Sequence, residues 1–229
     1  MTPPALSVLS WNIRKAVGTD RRRDPDRIMR LLRDFAPDIV FLQEADKRLP
    51  PRRSAIPRTL LEEAELTPVP VPGAGIGWHG NALLLGDRVK LRDIDPLDLP
   101  GLEPRGALLA ELDTPLGEIV VGGLHLGLTR GARRSQLAHL RDRLERYEAP
   151  ALLAGDLNEW SRSRGFEPLD DSFDVHAPGP SFHARAPRLA LDRIVTRGPL
   201  RIASSDVPSG PELRRASDHL PIRARIERD

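Results

Sequence analysis

Apolar runs in this sequence repeatedly stop at side chains that can do chemistry. Asn12 follows "VLSW", Glu44 follows "IVFLQ" and His125 follows "VVGGL". Asp156 and Asn158 follow "ALLAG", Asp192 interrupts "LALDRIV", and Asp218 with His219 precede "LPIRARI". Carboxylates and an amide without any thiolate make a hard, oxygen-rich donor set, which favours magnesium or manganese over zinc or copper. Two histidines beside them can move protons near neutral pH, and an aspartate next to a histidine can fix its tautomer and stabilise the imidazolium. A divalent ion, a base and an acid together describe phosphoester hydrolysis, in which the ion neutralises phosphate oxygens and a carboxylate or imidazole orients the attacking water. Asparagine can donate to a phosphate oxygen without adding repulsive charge.

These groups work only if strands carry their ends to one place. "ALSVLSW" (5–11), "DIVFLQ" (38–43), "PALLAG" (150–155), "LALDRIV" (189–195), "LRIASSDV" (200–207) and "LPIRARI" (220–226) read as strands. Four further candidates, "NALLL", "VKLRDID", "GALLAEL" and "EIVVGGL", succeed one another with turn signals between them, which predicts antiparallel pairing. "DPDRIMRLLRDF" predicts a helix: Asp24 caps, Pro25 suits the first turn, and Ile28, Leu31, Leu32 and Phe35 form one face. A second helix is expected from about Arg133 to Tyr147 on Leu137, Leu140 and Leu144, and a short one around "RTLLEEAEL". Many strands with few helices are best layered as two stacked sheets flanked by helices.

Composition bounds the rest. The 229 residues suit one domain, 1–229, and 39% hydrophobic content suits a globular chain. No apolar run approaches the roughly 18–20 residues of a membrane span, and "MTPPALSVLSWNIR" lacks the pattern of a signal peptide, so a cytoplasmic address is expected. With no cysteine there are no disulfides, thiolate metal sites or cysteine nucleophile. The formal charge is only +2, carried almost wholly by arginine, since Lys15, Lys47 and Lys90 are the only lysines. A net charge this small does not itself announce a nucleic-acid binder. The arginine-rich Arg21–Arg23 run is interleaved with aspartates, as solvated loops usually are.

"SWNIR", "LQE", "GLHL", "GDLN", "LDRI" and "SDHLP" stand in the order of the endonuclease/exonuclease/phosphatase superfamily, which the chain resembles from Trp11 to Pro221. The resemblance implies a four-layer α/β sandwich of two mixed, mostly antiparallel sheets, with the site at one edge. It implies Glu44 as the principal magnesium or manganese ligand, with Asn12 and Asp218 beside it. Asp156 and Asn158 would orient the water and the scissile phosphate, His219 would act as base or transition-state donor, and Asp192 would orient His219. His125 would bind phosphate or protonate the leaving group, and Arg105 would sit near the phosphate. Arg14 stands where repair nucleases of the superfamily carry a carboxylate, and His125 where they tend to carry tyrosine.

A phosphodiesterase acting on nucleic acid is therefore expected, then a phosphomonoesterase or phospholipid-headgroup hydrolase. A monomer is expected. A noncatalytic phosphate- or partner-binding module is the contrasting class, with Arg14 filling the cation's place on Glu44. Several residues have plainer readings. Gly-Asp at a strand end is often only a turn, and His79 and His139 read as surface or packing histidines. His176 and His183 lie in a loop, 176–188, that could overhang the cleft. Trp11 reads as a buried support and Trp160 as a surface that could stack on a base.

Overall fold

The structure is a computed structural model that describes residues 4–47, 51–161, 163–169 and 171–229. In chain order the elements are β1 (Ala5–Asn12), α1 (Pro25–Phe35), β2 (Ile39–Gln43), α2 (Arg58–Glu63), β3 (Thr67–Pro68) and β4 (Ala82–Leu85). There follow β5 (Lys90–Leu99), β6 (Arg105–Thr114), β7 (Gly117–His125), α3 (Arg130–Leu144), β8 (Ala151–Asp156) and β9 (Phe173–His176). The last are β10 (Asp192–Arg197), β11 (Leu200–Asp206), α4 (Pro211–Ala216) and β12 (Ile222–Arg228).

The strands form two six-stranded sheets, ordered β11-β12-β1-β2-β4-β3 and β5-β6-β7-β8-β10-β9. Only β1 with β2 and β7 with β8 run parallel, and every other pairing is antiparallel. Strand alternation explains the layering, because successive side chains point to opposite faces. In β1, Leu6 and Val8 enter a core between the sheets, while Leu9 and Trp11 enter a second core beneath the helices. That second core takes Ile28, Met29 and Leu32 from α1, Leu61 from α2, and Leu213 and Ala216 from α4. A third joins Leu137, Leu140 and Leu144 of α3 to the outer face of the second sheet. Helix, sheet, sheet and helix thus form the expected four layers.

Several elements differ from the sequence-based reading. "NALLL" does not join the antiparallel meander of β5, β6 and β7; as β4 it pairs with β2 and β3 in the other sheet. A strand buried on both faces carries no pattern naming its neighbour. The α3 helix starts three residues early, because the Thr129 side chain accepts from the Ala132 amide and caps it there. "LALDRIV" becomes a strand only from Asp192. The short β3, β9 and α4 carry too little periodicity to be foreseen. Asp24 does cap α1, accepting from the Arg27 amide at 2.9 Å, with Pro25 in the first turn.

Candidate active site

The same alternation that fills the inter-sheet core delivers the polar groups. Ile119 and Val121 face the opposite sheet, and His125 continues their parity at the end of β7. Leu152 and Ala154 lead to Asp156 in the same way, and Ile194 leads back to Asp192. In the second sheet, His125 is registered against Asp156, and Asp156 against Asp192. In the first sheet Asn12 ends β1, and His219 precedes the antiparallel β12. Gly155 makes the close parallel pairing possible, since a Cβ there would lie 1.9 Å from the Leu124 carbonyl oxygen.

Hydrogen bonds tie the two edges together. The Asn12 amide donates to Asp156 Oδ2 at 3.1 Å, and that oxygen lies 3.5 Å from both His125 Nε2 and His219 Nε2. On its other side His219 Nδ1 meets Asp192 Oδ2 at 2.9 Å, and the Ser181 hydroxyl donates to the same oxygen. Asp192 is fully buried, and its Oδ1 has no partner among the described residues. Ser217 Oγ donates to the Asn12 carbonyl at 2.7 Å, fixing the segment that leads into His219. The Trp11 indole donates to the His219 carbonyl at 2.9 Å, so Trp11 is a buried support. The Phe182 ring packs on the imidazole with centroids 4.9 Å apart.

This arrangement separates the two imidazoles electrostatically. Burial would lower the His219 pKa, but the Asp192 carboxylate, with Asp156 and Asp218, outweighs it and raises the pKa to about 10. His219 is an imidazolium at neutral pH. Burial dominates for His125 and, with the Arg105 charge, holds it below the usual histidine value despite Asp156. Burial would raise the Asp156 pKa, but the two histidines, Asn12 and the Asn158 amide keep it below the ordinary carboxylate range.

Glu44 lies just beyond β2, half-buried, with φ 52° turning it out of the strand's alternation. Burial would push its carboxyl up, but the Lys15 ammonium, followed by His125 and the Asn12 amide, brings it below its usual value. The Arg14–Glu44 pairing that belongs to the noncatalytic alternative is not formed: Lys15 Nζ bonds Glu44 Oε2, and Arg14 Nε lies 3.5 Å from Asp218 Oδ2. A turn in which Arg14, Lys15 and Ala16 all have positive φ carries the chain past Arg14 and sets Lys15 on Glu44. Glu44, Asp218 and the Asn12 amide fit a hard divalent cation: the donors are oxygen, and both carboxylates already draw a cationic side chain. The ligating atoms of Asp156, Asp192 and His219 also lie within 4.8 Å of one another. There, however, the Asp192 carboxylate oxygen is already engaged by His219 Nδ1 and the Ser181 hydroxyl.

Asn158 lies past the end of β8. The chain turns, so the Asn158 amide N–H donates to Asp156 Oδ1 at 3.0 Å and the side chain to the Leu126 carbonyl at 2.9 Å, with φ 52°. Asx turns of this kind follow directly from an aspartate at a strand end. Arg105 starts β6 near His125, and its guanidinium bonds Glu103 at 2.9 Å. His79 bonds Asp98, His139 is exposed on α3, and His176 bonds Ser205, all apart from the cluster. Lys15, Ser181 and Ser217 were missed as site residues; only Ser217, inside "SDHLP", carried a signal.

A family profile described as "Endonuclease/Exonuclease/phosphatase family" matches residues 9–219. An endonuclease/exonuclease/phosphatase from Beutenbergia cavernae DSM 12333 is similar at 24% identity and TM-score 0.74, with 98% of this chain and 72% of that one covered. Humanized D. rerio TDP2 is similar at 20% identity and TM-score 0.75, covering 97% and 99%. The human Nocturnin catalytic domain with bound sulfate anion is similar at 21% identity and TM-score 0.73, covering 99% and 96%. No curated protein matches the chain.

Proposed function

The chain belongs to the endonuclease/exonuclease/phosphatase family, and from that premise we propose that it is a divalent-metal-dependent phosphodiesterase whose first substrate is nucleic acid. The observation that carries this reading is Asp156 Oδ2, which receives the Asn12 amide and lies 3.5 Å from both imidazoles, with Asp192 behind one of them. Glu44, Asn12 and Asp218 would hold magnesium or manganese, which when bound neutralises charge on phosphate and lowers the pKa of water.

The chain's own groups do the rest. Asp156, ionised below the ordinary carboxylate range, orients the water and takes its proton as oxygen attacks phosphorus in line. His219, charged at neutral pH, donates to the leaving oxygen as the P–O bond breaks. The proton on Asp156 then returns to His219 across the 3.5 Å contact. Asp192 and Ser181 hold the ring for both transfers. His125, kept neutral by burial, offers an N–H to a phosphoryl oxygen. Asn158 locks the Asp156 turn, and Arg105 adds positive charge beside His125. A cytoplasmic location and one domain over residues 1–229 belong to the same proposal; among the described residues no helix is long and apolar enough to cross a membrane.

The test is turnover of plasmid DNA, bis(4-nitrophenyl) phosphate, 4-nitrophenyl phosphate and a lysophospholipid, each with manganese, with magnesium and with chelator. Metal-dependent diester cleavage is expected, with a loss of about 10²–10⁴-fold in Glu44→Ala and His219→Ala. Chelator-insensitive turnover, or an undiminished variant, overturns the mechanism; preference for the monoester or the lipid moves the substrate. Lys15 on Glu44 and Arg14 on Asp218 favour one second reading, a noncatalytic phosphate- or partner-binding module in which these side chains replace the ion. Absence of manganese binding at micromolar and of magnesium at millimolar concentration selects it.

A further inference from the structure

Three segments beside His219 carry more exposed arginine than exposed acid. The first is the loop at 18–23, which holds Arg21 and Arg22; the second is the loop at 182–188, which holds Arg185 and Arg188. The third is α4, with Arg214 and Arg215, and all six side chains are exposed. The segments are tied to one another. The Thr19 amide donates to the Arg215 carbonyl at 2.9 Å, its hydroxyl donates to the Arg214 carbonyl at 2.9 Å, and the Arg185 guanidinium donates to the Thr19 carbonyl.

They are also tied to the candidate active site. The Ala184 amide donates to the Asp218 carbonyl at 2.6 Å, and Phe182 packs on His219. Arg215 lies three positions before Asp218, a chain distance of at most about 10 Å.

None of the six guanidiniums makes an ion pair among the described residues. Elsewhere exposed Arg92, Arg134, Arg201 and Arg223 each have a carboxylate partner, whereas exposed Arg30, Arg53, Arg58 and Arg146 have none among the described residues, so the six are set apart by their place beside His219. Two exposed acids lie on these segments, and of them Asp20 also feels the Arg215 charge. Asp20 is bonded by Arg27, and Glu212 borders a cavity of α1 with Arg30, Arg33 and Asp34. Exposed like charges left together repel, so a patch of this kind awaits a polyanion.

We propose that these three segments form a wall that binds backbone phosphates flanking the scissile one, in a single-stranded nucleic acid. The proposal deepens the phosphodiesterase reading and rests on it for the position of the scissile group. A guanidinium suits phosphate through its paired donors. The wall belongs to the first sheet's side of the edge. Trp160, 71% exposed and two residues beyond Asn158, belongs to the second sheet's side and supplies a face for an unpaired base. An anionic membrane is the poorer occupant. Among the described residues the exposed large hydrophobic side chains are Leu102, Leu128 and Trp160, and none lies on the arginine segments to enter a bilayer.

The experiment measures fluorescence anisotropy of a labelled oligothymidylate with chelator present, from 50 to 300 mM salt. Wild type is compared with the combined Arg22→Gln, Arg188→Gln, Arg214→Gln and Arg215→Gln variant. These four side chains make no hydrogen bond that holds the fold. Each phosphate contact contributes roughly −0.7 to the slope of log K against log salt, so the variant should lose about 2–3 of slope and at least about tenfold in affinity at low salt. A control carrying Arg92→Gln on β5 and Arg146→Gln beyond α3, both on the second sheet's side, should keep the wild-type slope. With manganese, turnover of bis(4-nitrophenyl) phosphate should stay within about twofold of wild type, because one small diester does not reach the wall. An unchanged slope in the four-arginine variant, or an equal loss in the control, overturns the wall. So does arginine-dependent binding to phosphatidylserine vesicles without binding to the oligonucleotide. If wild type fails to turn over the small diester with manganese, the phosphodiesterase reading fails alone, and the anisotropy still decides the wall.

Discussion

At the scale of single residues, Asp192 decides what His219 is. A histidine pKa raised in the fold stabilises the fold fully below the unfolded value, about 6.5, and that stability is lost as pH rises toward about 10. Urea unfolding in chelator between pH 6 and 10 should therefore show wild-type stability falling across this window. In Asp192→Asn the decline should be flatter, and the His219 ring should titrate closer to an ordinary imidazole by NMR. Turnover of the same variant should fall by about 10²–10⁴-fold while the fold persists. A variant with wild-type titration and rate sinks the assigned role. The six motifs made most of this cluster legible in the sequence, because side-chain chemistry and strand ends are local properties. Lys15 was not legible, since its approach to Glu44 depends on three successive residues of positive φ, a conformation that no residue type there announces.

At the scale of elements, the β7–β8 pair fixes Asp156. Gly155→Ala would drive a methyl group into the Leu124 carbonyl oxygen, prying apart the strands that register His125 against Asp156. A stability loss of about 3 kcal/mol, at the upper end for overpacking, should accompany a larger loss of activity than equally destabilising changes in α3 produce. Equal losses would show that the register is unimportant.

The loop after β8 has its own anchor. Glu159 is buried, and although burial raises its pKa, Arg130, the Ser161 amide and Arg133 bring it down to about 2. A depressed carboxylate stabilises the fold above its unfolded value, about 4.3, and loses that contribution as pH falls toward 2. Glu159→Gln should accordingly flatten the acid limb of the stability curve from pH 4.5 to 2, and an unaltered limb refutes the anchor. The strands and the two long helices followed from periodicity; the sheet membership of β4 did not, because pairing is a choice among buried, equally apolar edges.

At the scale of the whole molecule, the sheet edges argue for a chain that stays single. Outer strands invite pairing between copies unless charge, proline or irregularity blunts them. Here β5 carries Lys90, Arg92, Asp93, Pro96 and Asp98; β3 has two residues, one of them Pro68; and a register shift between Ile202 and Ser204 interrupts β11. Light scattering should give the mass of one copy, 25.4 kDa, at micromolar concentration, and a dimer mass rejects this reading. The indole of Trp11, anchored to the backbone of His219, has a further use. Trp11 is sealed from solvent while Trp160 is open to it, so iodide quenches the second and spares the first. With the half-buried Trp78 replaced by phenylalanine, the emission that survives becomes a built-in lamp on the His219 loop, bright or dim as that loop shifts, with no dye attached.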